Sequence, residues 1–329
     1  MKKAIKVFAL ALSVIMAISL VACGATQTAA KKDPNRKIVV GFSQLGAESD
    51  WRTANTKSVK DACVAAGFDL QFSDAQQKQE NQIKALRSFI QQKVDYIVLA
   101  PVVQTGWDTV LKEIYDSKIP LILVDRDVIT TDKSDKYWIT RIGENFYQEG
   151  TDLATWVKDN MFKDKDKVNV YQLEGTVGSG AAVDRGKAWA DVMKDSKFVT
   201  AKSQTGDFTD AKGQEVMESW LKSDAGKIDL VYAHNDMMAL GAITAIEAAG
   251  LKPGVDIKIV SVDGLKLGFE AMAAGKINCI AECSPLTGPK LVETIKKIEA
   301  GETVDKLSYA KEGVFPQDVA AKELPNRTY

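Results

Sequence analysis

"IDLVYAHNDMMALGAITAIEAAG", Ile228 to Gly250, is the stretch whose reading decides the fold. Its first half is an apolar run of strand length, its second half has the length and composition of a helix, and Gly250 closes it. A strand that is apolar on both faces and passes at once into a helix is the unit of a parallel sheet covered on both sides. Between the halves stand His234, Asn235 and Asp236, the first of them the only histidine in the chain. That trio reads either as a catalytic or metal centre or as something quieter.

The same unit recurs in both directions. Toward the N-terminus, "KIVVGFSQ" precedes a helix carrying Val59, Ala62, Cys63 and Ala66 on one face, and Gly67 ends it as the residue best able to take the left-handed position. "FDLQFSDA", a helix with Ile83, Leu86, Phe89 and Ile90, "VDYIVLAP", a helix from about Trp107 to Ser117 and "IPLILVDR" follow. Near "YWITRIGENFYQEG" the pattern restarts with a helix through Leu153, Trp156 and Val157, then "KVNVYQLEG", a helix from about Ala181 to Met193, and "FVTAKSQTG". Beyond Gly250 come "IKIVSVDG", a short helix to Gly275, "INCIAEC" and a helix from about Gly288 to Ala300. Two series of about five strands predict an α/β protein of two doubly wound lobes.

The chain starts differently. "MKKAIKVFALALSVIMAISLVACGATQ" has a basic head (Lys2, Lys3, Lys6), an apolar middle from Val7 to about Ala22, and a lone cysteine before small polar residues. "LVAC" (Leu20 to Cys23) resembles the bacterial lipobox, which implies cleavage of residues 1–22 and a lipid on Cys23. A transmembrane anchor is the rival reading, but the apolar stretch is shorter than the roughly 20 residues a spanning helix needs. Residues 23–36, small, polar and basic, read as a flexible tether, with folded structure from about Lys37.

At 329 residues and 45% hydrophobic, the chain can bury the cores of two lobes. Removing the leader takes three lysines and no acid from a net charge of −1, so nothing suggests a nucleic-acid surface. Cys63, Cys279 and Cys283 lack the paired spacing of a zinc site and allow at most one disulfide; packing is the simpler role for each. The glycine-rich "GTVGSGAAVDRGK" (Gly175 to Lys187) has neither the GK[ST] ending of a P-loop nor a GxGxxG, and reads as a tight turn into a helix. There is no HExxH, EF-hand loop or GxSxG elbow, so no metal, cofactor or catalytic triad is expected.

In doubly wound sheets ligands bind beyond the carboxyl ends of the strands. "PLILV" is followed by Asp125 and Arg126, "DLVYAH" by Asn235 and Asp236, "KIVSV" by Asp263 and Gly264, and "NCIA" by Glu282. Each residue alone is as well explained as a helix cap or first-turn carboxylate, but four strand ends carrying them in both lobes suggest a site. If Asp125, Asp263 and Glu282 meet Arg52, Arg126 and Arg185, the charges balance, which suits a neutral, hydroxyl-rich ligand. Trp51 and Phe208, each beside a helix start, are placed to stack on the C–H face of a ring, or to fill core.

The segments "GFSQLGAESDWR", "DAQQKQENQIKALRSF", "APVVQTGWDTVLKE", "QTGDFTDAKGQEVMES" and "VYAHNDMMALGAITAI" resemble the type I periplasmic sugar-binding proteins of ABC transporters, the ribose-binding-like group, and within it the galactofuranose-binding branch. The resemblance runs from Lys37 to Pro316 and implies the periplasmic binding protein-like I fold: two Rossmann-like lobes joined by three crossovers, closing over a monosaccharide. It implies ligand contacts from Ser49, Trp51, Arg52, Asp125, Arg126, Arg185, Phe208, Asn235, Asp263 and Glu282. Ribose binders carry a second aromatic where Arg52 stands, so the departure favours a furanose with a hydroxylated tail. Asp236 then caps the following helix, and His234 only packs nearby.

Placing the crossovers near Gly143, Glu282 and Leu307 gives an N-terminal lobe of 37–142 plus 283–306 and a C-terminal lobe of 143–282 plus 307–329. The implied protein is a lipid-anchored, monomeric, extracytoplasmic receptor that breaks no bond, uses no cofactor and hands galactofuranose or a related aldose to a permease and its ATPase. Presentation of the sugar to a chemoreceptor or sensor kinase stays open as the alternative. A lac-repressor-type regulator would carry a helix-turn-helix where this chain has its leader, and a glycan enzyme would turn its sugar over.

Overall fold

Two six-stranded sheets carry the chain, each flanked by helices. The computed structural model describes residues 36–329, of which Ile38–Tyr329 form one unit. The first sheet holds β1 (Val39–Gln44), β2 (Asp69–Asp74), β3 (Tyr96–Leu99), β4 (Leu121–Val124), β5 (Thr140–Gly143) and β11 (Leu307–Tyr309), in the order β11-β5-β4-β3-β1-β2. The second holds β6 (Val168–Glu174), β7 (Phe198–Thr205), β8 (Leu230–Ala233), β9 (Lys258–Asp263), β10 (Cys279–Glu282) and β12 (Val314–Pro316), in the order β12-β10-β9-β8-β6-β7. Both begin with the strand order of a doubly wound sheet, and only the β10–β12 pair is antiparallel.

Alternation along the strands shows why both faces need helices. Phe42, Val98, Ile122 and Val124 point to a core shared with Val59 and Cys63 of α1 (Asp50–Ala65) and with Leu291 and Ile295 of α9 (Gly288–Glu299). Their neighbours Ile97, Leu99, Leu121 and Leu123 point the other way, to Leu86 and Phe89 of α2 (Gln79–Gln92) and Leu111 and Ile114 of α3 (Asp108–Ser117). The second sheet is covered in the same manner by α4 (Phe146–Asn160), α5 (Gly180–Met193), α6 (Asp210–Asp224), α7 (Asp236–Ala248) and α8 (Lys266–Ala273). Gly67 sits at φ +75° just past α1 with open space where a side chain would be, so the backbone itself asks for glycine.

The structure differs from the sequence reading in three places. Edge strands β2 and β7 expose much of their length, because solvent takes the side a neighbour would fill. The tail supplies two further strands: Leu307–Tyr309 pairs with β5 in the first sheet, so the third crossover lies between Tyr309 and Val314, not at Leu307. Gly143 likewise ends a strand of the first sheet, one residue later than the expected boundary. Cys63, Cys279 and Cys283 are all buried free thiols. Among the described residues no helix is long and apolar enough to cross a membrane, and Cys23, with the leader and tether up to residue 35, lies outside them.

Candidate functional site

The carboxyl ends of the two sheets face each other and enclose one narrow cavity. Glu48, Ser49, Trp51 and Arg52 reach it from the β1–α1 connection, Asp125 and Arg126 from the end of β4, and Phe146 from the start of α4. From the other lobe come Ala181 and Arg185 of α5, Phe208 of the β7–α6 loop, Asn235 and Asp263 at the ends of β8 and β9, and Cys283 of the second crossover. The cavity has about 290 Å³ of empty space, and the Gln104 N–H reaches the Gly178 carbonyl of the other lobe at 3.0 Å, so the lobes are shut around it. That scale is at the small end for ligand sites.

Three arginines face three acids. Arg52, 2% exposed, donates from Nε to Glu48 Oε1 at 3.1 Å and puts Nη1 2.6 Å from Asp125 Oδ2. Burial alone would lower its pKa, but Asp125 and Glu48 outweigh burial and hold it above the ordinary value. Arg126 has looser ion-pair contacts, 3.8 Å to Glu48 and 3.7 Å to Asp125, and burial together with neighbouring Arg52 pushes it down to about 10. Arg185 donates from Nε to Glu149 Oε2 at 2.7 Å and from Nη1 to the His234 carbonyl at 2.6 Å. Burial opposes its charge, yet Glu149 raises it well above normal.

Each guanidinium also lies over an aromatic ring: Arg52 over Trp51 at 4.7 Å, Arg126 over Phe208 at 5.3 Å and Arg185 over Phe146 at 5.3 Å. A planar cation held by a ring on its face and a carboxylate on its edge has its remaining donors aimed before any ligand arrives. Three buried cavity atoms make no hydrogen bond, Glu48 Oε2, Asp263 Oδ2 and Arg126 Nε, whereas Asp125 Oδ2 and Arg52 Nη1 hold each other. Leaving such groups unpaired costs about 1–3 kcal/mol each, so they mark a place built for donors and acceptors together.

The backbone is strained at the same points. Asp125 (φ +61°), Phe208 (φ +62°) and Asp263 (φ +131°) occupy a region that favours glycine, at a cost on the order of 1–3 kcal/mol each. The Asp125 turn is possible because Gly143 leaves room: a methyl group there would lie 2.6 Å from the Asp125 carbonyl oxygen. Burial, then neighbouring Asp236, raises the Asp263 carboxyl well above its usual range, which favours a form able to donate.

Nine of the ten residues singled out from sequence line this cavity; Glu282 does not. Its Oε1 accepts from Arg327 at 2.6 Å, and the Arg327 guanidinium is clasped between Phe269 and Phe315 at 4.1 and 4.4 Å. Glu48 takes its place on the wall, and the acids that balance the three arginines are Glu48, Asp125 and Glu149, the last paired to Arg185 from behind. Ser49 caps α1, and Trp51 donates its indole N–H to the Cys283 carbonyl at 2.6 Å, tying the first lobe to the second crossover.

The trio of the opening stretch also sorts differently from the expectation. Asn235, not Asp236, caps α7: its Oδ1 accepts from the Met238 N–H at 3.0 Å while its Nδ2 donates to the Phe208 carbonyl at 3.0 Å. Asp236 is fully buried one residue on and accepts from Ser261 Oγ and from the N–H groups of Gly264 and Leu265, fixing the turn that carries Asp263. His234 is buried, packs on Tyr232 and shares a contact with Gln172; burial and Arg185 lower its pKa far enough to keep it neutral.

Sequence reasoning missed Glu48, Phe146, Ala181 and Cys283 on the wall, and Glu149 behind Arg185. Glu48 stands four residues before Arg52, the spacing of a helical ion pair, which was the available signal. Each crossover brings in an ionisable group, Glu144, Cys283 and Glu312, and the three lie near enough to interact, with Cys283 on the cavity wall. Glu149, Cys283 and Glu312 are the one group among the described residues with metal-like spacing, but Glu149 Oε2 is bound to Arg185, and Glu312 accepts from the Ser284 N–H at 2.7 Å.

The periplasmic binding protein domain family matches residues 40–303. The galactofuranose-binding protein YtfQ of Escherichia coli strain K12 is 43% identical over 294 residues, covering 88% of this chain and 91% of that protein. Two solved structures superpose along almost the whole folded part. The binding-protein component of the arabinose ABC transporter from Shewanella sp. ANA-3, bound to α- and β-L-arabinofuranose, has a TM-score of 0.83 at 46% identity, covering 88% of this chain and 95% of that one. A Mycobacterium smegmatis protein in complex with β-D-fucofuranose has a TM-score of 0.85 at 49% identity, covering 89% and 95%. With a cavity walled by both lobes and a match that spans both, this chain belongs to the periplasmic binding protein family and is an extracytoplasmic solute carrier, not an enzyme.

Proposed function

We propose that this chain captures a neutral monosaccharide in its furanose form, galactofuranose or a related aldose, and delivers it to an ABC sugar importer. One observation carries the reading: three arginines and three acids line one small cavity, and the acceptors Glu48 Oε2 and Asp263 Oδ2 and the donor Arg126 Nε are buried there without hydrogen bonds. A ligand that donates and accepts at many points and carries no net charge satisfies both sets; a phosphate or carboxylate leaves the acids opposed. The sugars named for the relatives, arabinofuranose, fucofuranose and galactofuranose, are ligands of that kind.

In this reading Ser49, Trp51, Arg52, Asp125, Arg126, Arg185, Phe208, Asn235 and Asp263 contact the sugar, and Glu48 joins them in place of Glu282. No bond is made or broken. Binding shifts the population toward the closed form, and the permease reads that form. The protein works as a monomer held to the membrane by a lipid on Cys23; Cys23→Ala should release it to the soluble fraction.

The test is a thermal-shift panel of neutral furanoses and pyranoses on the chain from residue 24 onward. At about 100 times Kd a bound sugar stabilises the fold by about 2.7 kcal/mol, several degrees in Tm for a chain of this size. No shift with any monosaccharide would remove the proposal.

A further inference from the structure

The glycine-rich turn between β6 and α5 is not explained by the cavity. Gly178 needs its residue for backbone reasons, at φ +78°. Gly180, the first residue of α5, does not: its φ lies outside the left-handed region, so its own backbone accepts a side chain. What excludes one is the opposite lobe. A methyl group on Gly180 would lie 2.6 Å from Asp127 Oδ1 and 3.3 Å from Gln104 Nε2, and its nearest atoms all belong to those two residues.

The Asp127 carboxylate is held by the Gln104 side chain, and the Gln104 backbone is fixed on both sides. Gln104 Nε2 donates to Asp127 Oδ1 at 3.0 Å, the Gln104 carbonyl accepts from the Ile129 N–H at 2.7 Å, and the Gln104 N–H crosses the cleft to the Gly178 carbonyl at 3.0 Å. Asp127 faces the first turn of α5, where the helix dipole favours a negative charge. None of Gln104, Asp127, Gly178 and Gly180 lines the cavity. These contacts exist only when the lobes are shut, so they stabilise the closed form without touching ligand.

We propose that Gly180 is an affinity-determining residue outside the binding cavity: its missing side chain is the clearance that lets α5 seat on a latch formed by Gln104 and Asp127. The proposal deepens the sugar-capture reading and rests on it for its effect on affinity, but lobe closure can be measured without sugar.

The experiment compares the parent with Gly180→Val and Gly180→Ala, using spin labels on one exposed residue of each lobe, Lys84 and Ala211. Both variants should shift the unliganded distance distribution toward the open form, with the urea midpoint unchanged. Both should weaken affinity for the sugar found in the thermal-shift panel, at least tenfold for Gly180→Val, through faster dissociation with the association rate retained. Distances and dissociation rates equal to the parent's in both variants overturn the proposal. If the parent binds no monosaccharide, the functional reading fails and the distance distributions alone decide the latch. If Gly180→Val loses its fold, Gly180→Ala, which adds only the methyl group that meets Asp127 Oδ1, decides it.

Discussion

Glu149→Leu tests the electrostatics of the cavity wall most sharply. Arg185 is 2% exposed, its Nε and Nη2 both lie 2.7 Å from Glu149 Oε2, and its only other hydrogen bond among the described residues is to the His234 carbonyl. Removing one partner of a buried ion pair costs about 3–5 kcal/mol, because the surviving charge stays desolvated. The retained carbonyl contact places this case near the lower end, about 3 kcal/mol, against a total stability on the order of 5–15 kcal/mol. At about 2 °C per kcal/mol, the low end of the range for somewhat shorter chains, Tm should fall by about 6 °C. The assay is urea unfolding of the parent, Glu149→Leu, Arg185→Leu and the double variant. Replacing both partners by apolar groups removes the orphaned charge, so the double variant should recover part of either single loss. A single-variant loss under about 1 kcal/mol, or strict additivity, refutes this account of the wall.

The tail and the crossovers give two further expectations. Arg327→Ala removes a guanidinium paired to Glu282 and clasped by Phe269 and Phe315, and should cost about 2–3 kcal/mol while leaving sugar affinity within about twofold; an affinity loss matching the stability loss would return Glu282 to the ligand site. Burial, then Glu149, pushes Glu312 up to about 9 from its ordinary 4.5. The folded form therefore holds a proton the unfolded chain releases, so its contribution is complete below pH 4.5 and is lost as pH rises toward about 9. Urea midpoints should fall over that window, and Glu312→Gln should flatten the fall; equal slopes in the two proteins would contradict it.

The lobes were legible because buried parallel strands such as "LILV" and "LVYA" are apolar on both faces, and their helices have their own period. Leu307–Tyr309 and Val314–Pro316 were not: three residues carry no period, and each pairs with a strand far away in sequence. The site followed from position, since polar residues just past apolar runs had to face the cleft. Position failed at Glu282, because its partner Arg327 lies in a tail with no readable pattern. It also could not rank Asn235 against Asp236: which one caps depends on where the Gly264–Leu265 turn passes, and that turn takes Asp236 for itself.

The measurement closest to the central claim is calorimetric titration of the processed protein with one neutral aldose that forms a furanose, its uronic acid and its phosphate ester. Balanced acids and arginines predict that the neutral sugar binds at least about a hundredfold more tightly than either anion, a difference of about 2.7 kcal/mol. Tighter binding of the uronate or the phosphate would contradict the account, because the arginines would then outweigh Glu48, Asp125 and Glu149.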